Sequence, residues 1–318
     1  MLEALLRAAP SSQRLGQVEQ GALRANAPAI ALNPGIVYAR IMLTDAMSRL
    51  GLPPEAVVEP APGGATGTVW RVRTATASYT MRLASSSRLT DGRLAAIAAA
   101  RDAGLPAPEL IRRASTPDGE AVLLSWLPGG PMYGSLRRDP TRARRWGQLT
   151  GELQRRLHEI DAPDAVIDVR AEGLHPFDAG RSIVGLPEGR ALLHLDWHPL
   201  NLLVDEREER IRGIVDWDNA RRGHPLLDLA RTHSLLTVQP SLADMPASLR
   251  ARLGDFRDGW ADGYGLATRT IPRACHLWAG RVMLADLEPR YADAPAALDQ
   301  LRRWTAGWEA IHPPAPTV

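Results

Sequence analysis

Apolar positions recur at helical spacing through Ile36, Tyr38, Ile41, Met42, Met47 and Leu50, and the run stops at Gly51. This predicts a helix over 36–50. The period then changes. Val57-Val58-Glu59-Pro60, Thr68-Val69-Trp70-Arg71-Val72-Arg73 and Ser78-Tyr79-Thr80-Met81-Arg82-Leu83 have strand lengths and strand alternation. A glycine cluster, Gly63-Gly64-Ala65-Thr66-Gly67, separates the first two. The three runs predict an antiparallel meander. An Ala-rich helical stretch follows at 91–103 and ends at Gly104-Leu105-Pro106, and 109–113 and 121–126 read as two more strands. Five strands and one helix make a small α+β lobe.

Leu127-Pro128-Gly129-Gly130-Pro131 is the clearest hinge, because Pro and Gly there disfavour regular structure. Beyond it the pattern turns helical. Residues 141–160 place Trp146, Leu149, Leu153 and Leu157 on one face. Short apolar strands surround a polar loop at 191–217, and helices are expected from 226 onward with breaks near Pro240, Pro246 and Pro272. The layout predicted is an N-terminal helical extension (1–50, with a linker-like stretch at 25–35), a small lobe (51–127), a larger, mostly helical lobe (128–312) and a disordered tail (313–318). No internal repeat is present.

At 318 residues the chain is long enough for two lobes, and 45% hydrophobic with 23% charged residues is ordinary globular composition. The formal net charge is +2 with no basic run, so neither nucleic acid nor a membrane surface is an expected partner. No apolar run approaches the ~18 residues that span a bilayer. The start, Met1-Leu2-Glu3-Ala4-Leu5-Leu6-Arg7, lacks the basic region and apolar core of a secretory signal. The single cysteine, Cys275, forms no internal disulfide, which fits a reducing cytoplasm. All 38 cationic residues are Arg, so any phosphate contact by a cationic side chain must be made by Arg.

The strongest chemical signal is His194-Leu195-Asp196-Trp197-His198-Pro199-Leu200-Asn201, followed by the apolar Leu202-Leu203-Val204. Fifteen residues after Asn201, a second apolar strand, Ile214-Val215, ends in Asp216-Trp217-Asp218. Two strands joined by a turn would bring Asp196, Asn201 and Asp216 to one end of a hairpin. Asn201 and Asp216 then supply oxygen ligands for Mg²⁺, a hard cation. Asp196 is left to accept the proton of an attacking hydroxyl, the division of labour that phosphoryl transfer needs.

The H-x-D-x-x-x-x-N skeleton is shared with protein kinases. With His-Pro ahead of the Asn, Asp216-Trp217 in place of Asp-Phe-Gly, and the later Gly223-His224-Pro225-Leu226-Leu227-Asp228-Leu229-Ala230, the chain resembles the aminoglycoside phosphotransferase and choline kinase-like family. The resemblance covers roughly 57–290. It implies a two-lobed protein kinase-like fold and transfer of the ATP γ-phosphate to a hydroxyl of a small molecule, either an antibiotic or a metabolite. It also implies Asp196 as base, Asn201 and Asp216 as Mg²⁺ ligands, Asp228 as a brace, and His194 as a residue that orients the loop. Asp218 reads as a second-layer metal neighbour or a solvated acid, and His198 as a substrate contact or as loop packing.

The glycine cluster is not a Walker loop, since no Gly-Lys-Ser/Thr follows, nor a Rossmann turn, since a strand comes next. Between antiparallel strands it suits a lid over ATP phosphates formed by Gly63, Gly64 and Gly67. Arg82 is the natural phosphate clamp. The adenine is expected against the backbone of Ser125, Trp126 and Leu127. The family braces its clamp with a helix Glu. No Glu occurs here between residues 60 and 108, Arg93 falls near that position, and Asp91 is the nearest acid. The alternative expectation is therefore a nucleotide-binding regulatory protein with weak or lost catalysis. In the C-terminal region, Asp255, Asp258, Asp262, Asp286, Glu288 and Asp293 alternate with Arg, which reads as a mixed surface.

Overall fold

The computed structural model describes residues 34–61, 69–84, 87–117, 119–265 and 271–310. The glycine cluster, most of the expected N-terminal extension and the tail lie outside the described residues. The fold is α+β with two lobes, as the sequence predicts.

In the small lobe, β1 (Val57–Pro60), β2 (Val69–Arg73), β3 (Ser78–Ala84), β4 (Leu110–Thr116) and β5 (Gly119–Ser125) form an antiparallel sheet in the order β1-β2-β3-β5-β4. Two helices cover it, α1 (Pro34–Arg49) and α2 (Ser87–Asp102). The period of two along β5 sorts its side chains between them. Ala121 and Leu123 join Ala46 of α1, Leu50 just past its end, Val72 and Met81 in one core. Val122 and Leu124 face the other way, with Ala96, Ile97 and Ala100 of α2. A boundary at residue 50 therefore divides a helix from the sheet on which it packs; by packing, the end of α1 is part of the small lobe. Arg82 pairs in register with Val122, so it shares the α2 side of the sheet.

Gly130 and Pro131, expected to be irregular, form a two-residue strand, β6, paired with Val204 and Leu203 of β8 (Leu202–Asp205). Gly129 permits this approach: it sits at φ 102, and a Cβ there would lie 2.6 Å from the Val204 carbonyl oxygen. β9 (Arg210–Ile214) completes the three-stranded sheet. A short ladder joins β7 (Ala191–Leu193) to β10 (Arg221–Gly223).

The helices of the large lobe are α3 (Met132–Arg138), α4 (Ala143–His158), α5 (Pro225–Leu235), α6 (Ala247–Arg250), α7 (Leu253–Tyr264), α8 (Arg273–Leu287) and α9 (Asp299–Ala310). α4 and α7 cross backbone to backbone through four glycines. A Cβ would lie 2.2 Å from Phe256 O at Gly147, 2.1 Å from Trp260 O at Gly151, 2.0 Å from Arg144 O at Gly259 and 2.0 Å from Gln148 O at Gly263. No side chain fits at these positions. A buried relay stitches the crossing, with Trp260 Nε1 donating to Gln154 Oε1 (2.7 Å) and Gln154 Nε2 to Thr232 Oγ1 (2.9 Å). Trp260 and Trp278 are core residues.

Candidate active site

β7 runs directly into the polar loop 194–201, and β8 leaves it, so the loop is tethered at both ends by strands. Within it Leu195 is held at φ 62, a left-handed conformation that costs a branched residue on the order of 1–3 kcal/mol. Asp228 of α5 keeps it there. Its fully buried carboxylate accepts the backbone N–H groups of His194 (3.0 Å) and Leu195 (2.8 Å). The ring of His158, at the end of α4, lies 2.9 Å from the same carboxylate through Nε2 and 2.9 Å from the Tyr264 hydroxyl through Nδ1. Burial alone would raise the Asp228 carboxyl; the His158 and backbone donors outweigh it and hold the group below the usual range.

Asp196 and Asn201 face each other across the loop. The Asn201 amide nitrogen donates to the Asp196 carboxylate and to its carbonyl, both at 2.9 Å. His198 Nδ1 accepts the Leu200 N–H at 3.3 Å, which leaves the ring proton on Nε2, 3.3 Å from Asp196 Oδ1. Burial pushes the Asp196 carboxyl up, but the adjoining His198 ring and the Arg231 charge outweigh that and hold it well below the ordinary range. It is therefore an ionised carboxylate with a proton-accepting edge.

The second acid arrives on the β8–β9 hairpin. The Val215 N–H donates to the Asn201 carbonyl at 3.0 Å, which sets the two strand ends side by side. His194 ties the same junction: its buried ring donates from Nε2 to the Val215 carbonyl at 3.1 Å and packs edge-on against Trp197 and Trp217. Burial keeps that imidazole neutral by pushing its pKa down. Asp216 follows at φ 60. Withdrawal from bulk water in the cleft and the Asp218 charge push its carboxyl up, although 49% of its side-chain surface stays open.

Arg82 reaches this loop from β3. Its Nη2 lies 2.6 Å from Asp218 Oδ2 and its Nη1 3.7 Å from Asp216 Oδ1. Arg93 of α2 pairs electrostatically with the other oxygen of Asp218, its Nε 3.0 Å away but without hydrogen-bond alignment. Burial pushes the Arg93 guanidinium down, opposed by Asp218. Arg221 donates to the carbonyls of Asp218 (3.2 Å) and Ala220 (2.7 Å), its pKa pushed down to about 10 by burial and then by the Arg93 charge. Asp218 is thus neither a solvated acid nor idle. Asp91, the nearest acid in the sequence, is turned onto Arg113 instead.

Of the hinge residues, Ser125 already uses its N–H on the Glu109 carbonyl (2.8 Å) and its hydroxyl on the Glu109 N–H (2.8 Å). Arg71 lies over the Trp126 ring at 4.4 Å, and Leu127 packs against Gly213. Gly63, Gly64 and Gly67 are outside the described residues. Among the described residues, no group of three or more His, Cys, Asp or Glu side chains converges as a metal site. No described helix is long and apolar enough to cross a membrane.

The sequence matches the model of the APH family, described as "Phosphotransferase enzyme family", over residues 57–181 and 184–277, which include the whole site. The chain belongs to this phosphotransferase family. No curated protein sequence matches it. Solved structures share the fold of this phosphotransferase at low identity. Aminoglycoside-3'-phosphotransferase of type VIII superposes with a TM-score of 0.57 at 18% identity, covering 76% of this chain and 98% of that one. A thermostable mutant of aminoglycoside phosphotransferase APH(4)-Ia, in ternary complex with ADP and hygromycin B, gives 0.54 at 15%, covering 83% and 97%. Spectinomycin phosphotransferase APH(9)-Ia, with ADP and spectinomycin, gives 0.52 at 13%, covering 87% and 94%.

Three features of the candidate site are not legible in the sequence. His158 precedes the loop by 36 positions, and nothing in an amphipathic helix flags its last residue as a partner for Asp228. Arg231 is buried and sits 3.8 Å from Asp286, and its charge acts on Asp196. Its place three residues after Asp228, one helical turn on, was the available signal. The Arg82–Asp218–Arg93 bridge joins two neighbouring elements, β3 and α2, to a loop 125 positions beyond Arg93. The acids of the C-terminal region are largely engaged: Asp255 with Arg252, Asp262 with Arg144, Asp286 with Arg290, and Glu288 with Arg302.

Proposed function

We propose that the protein transfers the γ-phosphoryl group of ATP to a hydroxyl of a small molecule, with Asp196 as the general base. The observation that carries this reading is the meeting of Asp196, Asn201 and Asp216: an ionised carboxylate 2.9 Å from the Asn201 amide, beside a second acid brought in by the hairpin. The acceptor hydroxyl oxygen attacks the γ-phosphorus, the bond to the β-phosphate oxygen breaks, and the hydroxyl proton passes to Asp196 Oδ. ADP and the phosphorylated acceptor leave. The donor set fits Mg²⁺. The Asn201 nitrogen is turned to Asp196, so its oxygen is left for a cation, and Asp216, crowded by Asp218, is an acid that a cation would relieve. Asn201 and Asp216 would hold the ion, and substrate phosphates and water would complete its shell. When bound, the ion neutralises charge on the phosphates.

Arg82 clamps the ATP phosphates under the glycine cluster Gly63, Gly64 and Gly67, and the adenine lies against the backbone of Trp126 and Leu127, with Ser125 shaping that edge. Hygromycin B and spectinomycin, bound by the structural relatives, are the first acceptors to try. The lone, buried Cys275 suits a reducing cytoplasm, where ATP is supplied. The test is Mg²⁺-dependent ADP release across aminoglycosides, other antibiotics, choline, sugars and amino acids, with Asp196→Ala alongside. Turnover should fall on the order of 10²–10⁴-fold in the variant. Full activity of Asp196→Ala on the true acceptor would show that the base is elsewhere.

A further inference from the structure

A cation that clamps phosphate must be held in place before ATP arrives, since a free guanidinium on a long stem loses entropy on binding. In this chain α2 presents a cation, Arg93, where a bracing acid is needed. Two like charges on facing elements would repel. The structure shows instead that both converge on one carboxylate: Arg82 Nη2 at 2.6 Å from Asp218 Oδ2 and Arg93 Nε at 3.0 Å from Oδ1. The two guanidinium side chains are 11% and 16% exposed, so screening by water is limited. Asp218 is itself fixed from behind, because Arg221 donates to its carbonyl oxygen. Asp91, in the same helix two residues before Arg93, is occupied by Arg113.

We propose that Asp218 is the positioning residue of the phosphate clamp, holding Arg82, with Arg93 as its anchor on α2. This rests on the phosphotransferase reading. The brace comes from the loop that carries Asp216 rather than from the helix, so clamp and cation-binding acid are set by a single three-residue segment. Arg82 Nη2 is committed to Asp218, and Nη1, 3.7 Å from Asp216, is the half of the fork that turns toward the phosphates.

The experiment is calorimetric binding of ATP, with Mg²⁺ and separately in EDTA, to the full chain, Asp218→Asn, Arg93→Ala and the double variant Arg93→Glu/Asp218→Asn. Steady-state kcat and KM for ATP are measured in parallel. Loss of a charge-assisted brace should weaken ATP binding about tenfold or more in Asp218→Asn. The loss should appear in KM more than in kcat and should persist in EDTA, because Arg82 acts without the metal. The double variant returns an acid to α2 and should recover most of the affinity. Arg93→Ala should shift binding in the same direction by a smaller factor, and it decides the matter should Asp218→Asn fail to fold. Unchanged affinity in Asp218→Asn, a loss seen only with Mg²⁺, or a double variant no better than the single one would overturn the brace. Absence of ATP binding by the unmodified chain would overturn the phosphotransferase reading itself, and the brace with it.

Discussion

Asp228→Ala should damage stability and catalysis together, and the reason can be worked out donor by donor. The carboxylate receives two backbone N–H groups, at 3.0 and 2.8 Å, and the His158 ring at 2.9 Å, all in a fully buried setting. Removing it leaves three donors with no water to take them. Each unsatisfied buried donor costs roughly 1–3 kcal/mol. Relaxation of Leu195 out of φ 62 gives back on the order of 1–3 kcal/mol. With middle values for each, the net loss is about 4 kcal/mol, a large share of the ~5–15 kcal/mol that stabilises a typical domain. That relaxation also moves Asp196, the next residue, and a shift near 1 Å is enough to lower turnover about 10²-fold. Asp228→Asn should be milder, about 1–2 kcal/mol. Its oxygen can still accept the two backbone donors, and its NH₂ can face His158 once the ring moves its proton to Nδ1 and donates to Tyr264. Urea unfolding and steady-state kinetics on both variants check this. A loss below 1 kcal/mol in Asp228→Ala, or equal losses in the two variants, would refute the donor count.

The glycine crossing makes a second prediction: Gly151→Ala should lower the unfolding free energy by at least ~2 kcal/mol, because its Cβ would meet Trp260 O at 2.1 Å. Gly307→Ala, with open space in α9, should instead raise it by roughly 0.5–1 kcal/mol, and thermal unfolding of the pair reads the contrast. Acid should weaken the fold between pH 6.5 and 4 through a buried histidine. His276 is 3% exposed, stacks on Trp308 at 4.3 Å, and is pushed down to about 4 by burial and then by His233. The unfolded chain binds its proton near pH 6.5 and the folded one only near 4. Stability is therefore full above that window and falls as pH drops through it, by about 2 kcal/mol at pH 5 for this group. His276→Phe should remove about half of the fall in urea midpoint between pH 7 and 5, because His233, also pushed down to about 4 by burial, keeps a like share, and an unchanged slope would remove His276 from the cause.

The fold was legible wherever one face of an element had one destination. The alternation through Tyr79, Met81 and Leu83 and the dense run at 121–124 placed the sheet correctly, because burial on one or both faces dictates those periods. The loop from His194 to Asn201 was legible because its chemistry needs neighbours close in sequence. What stayed hidden depends on pairing at a distance. Arg93 looked like a gap in the clamp until Asp218, 125 positions later, was seen to join it. Gly147, Gly151, Gly259 and Gly263 weaken the helices that hold them, and only the meeting of two backbones explains them. Gly130 and Pro131 were read as a break because their composition disfavours strands, yet an edge strand of two residues asks little of either.

That short edge strand changes what opening the molecule would involve. The hinge between the lobes is hydrogen-bonded to β8, and β8 begins one residue after Asn201. The pivot is thus welded to the floor of the reaction chamber. If the small lobe swings to admit or release nucleotide, its fulcrum stays with Asn201, Val215 and Asp196, and only the ceiling travels. On the proposed mechanism, Asp196, Asn201 and Asp216 would then keep their spacing while the nucleotide enters or leaves. The ionic latch from Arg82 and Arg93 to Asp218 crosses from ceiling to floor, beside the Ile214 N–H on the Pro106 carbonyl (2.8 Å) and Arg156 on the Gly104 carbonyl (3.2 Å), and such ties must stretch or hold.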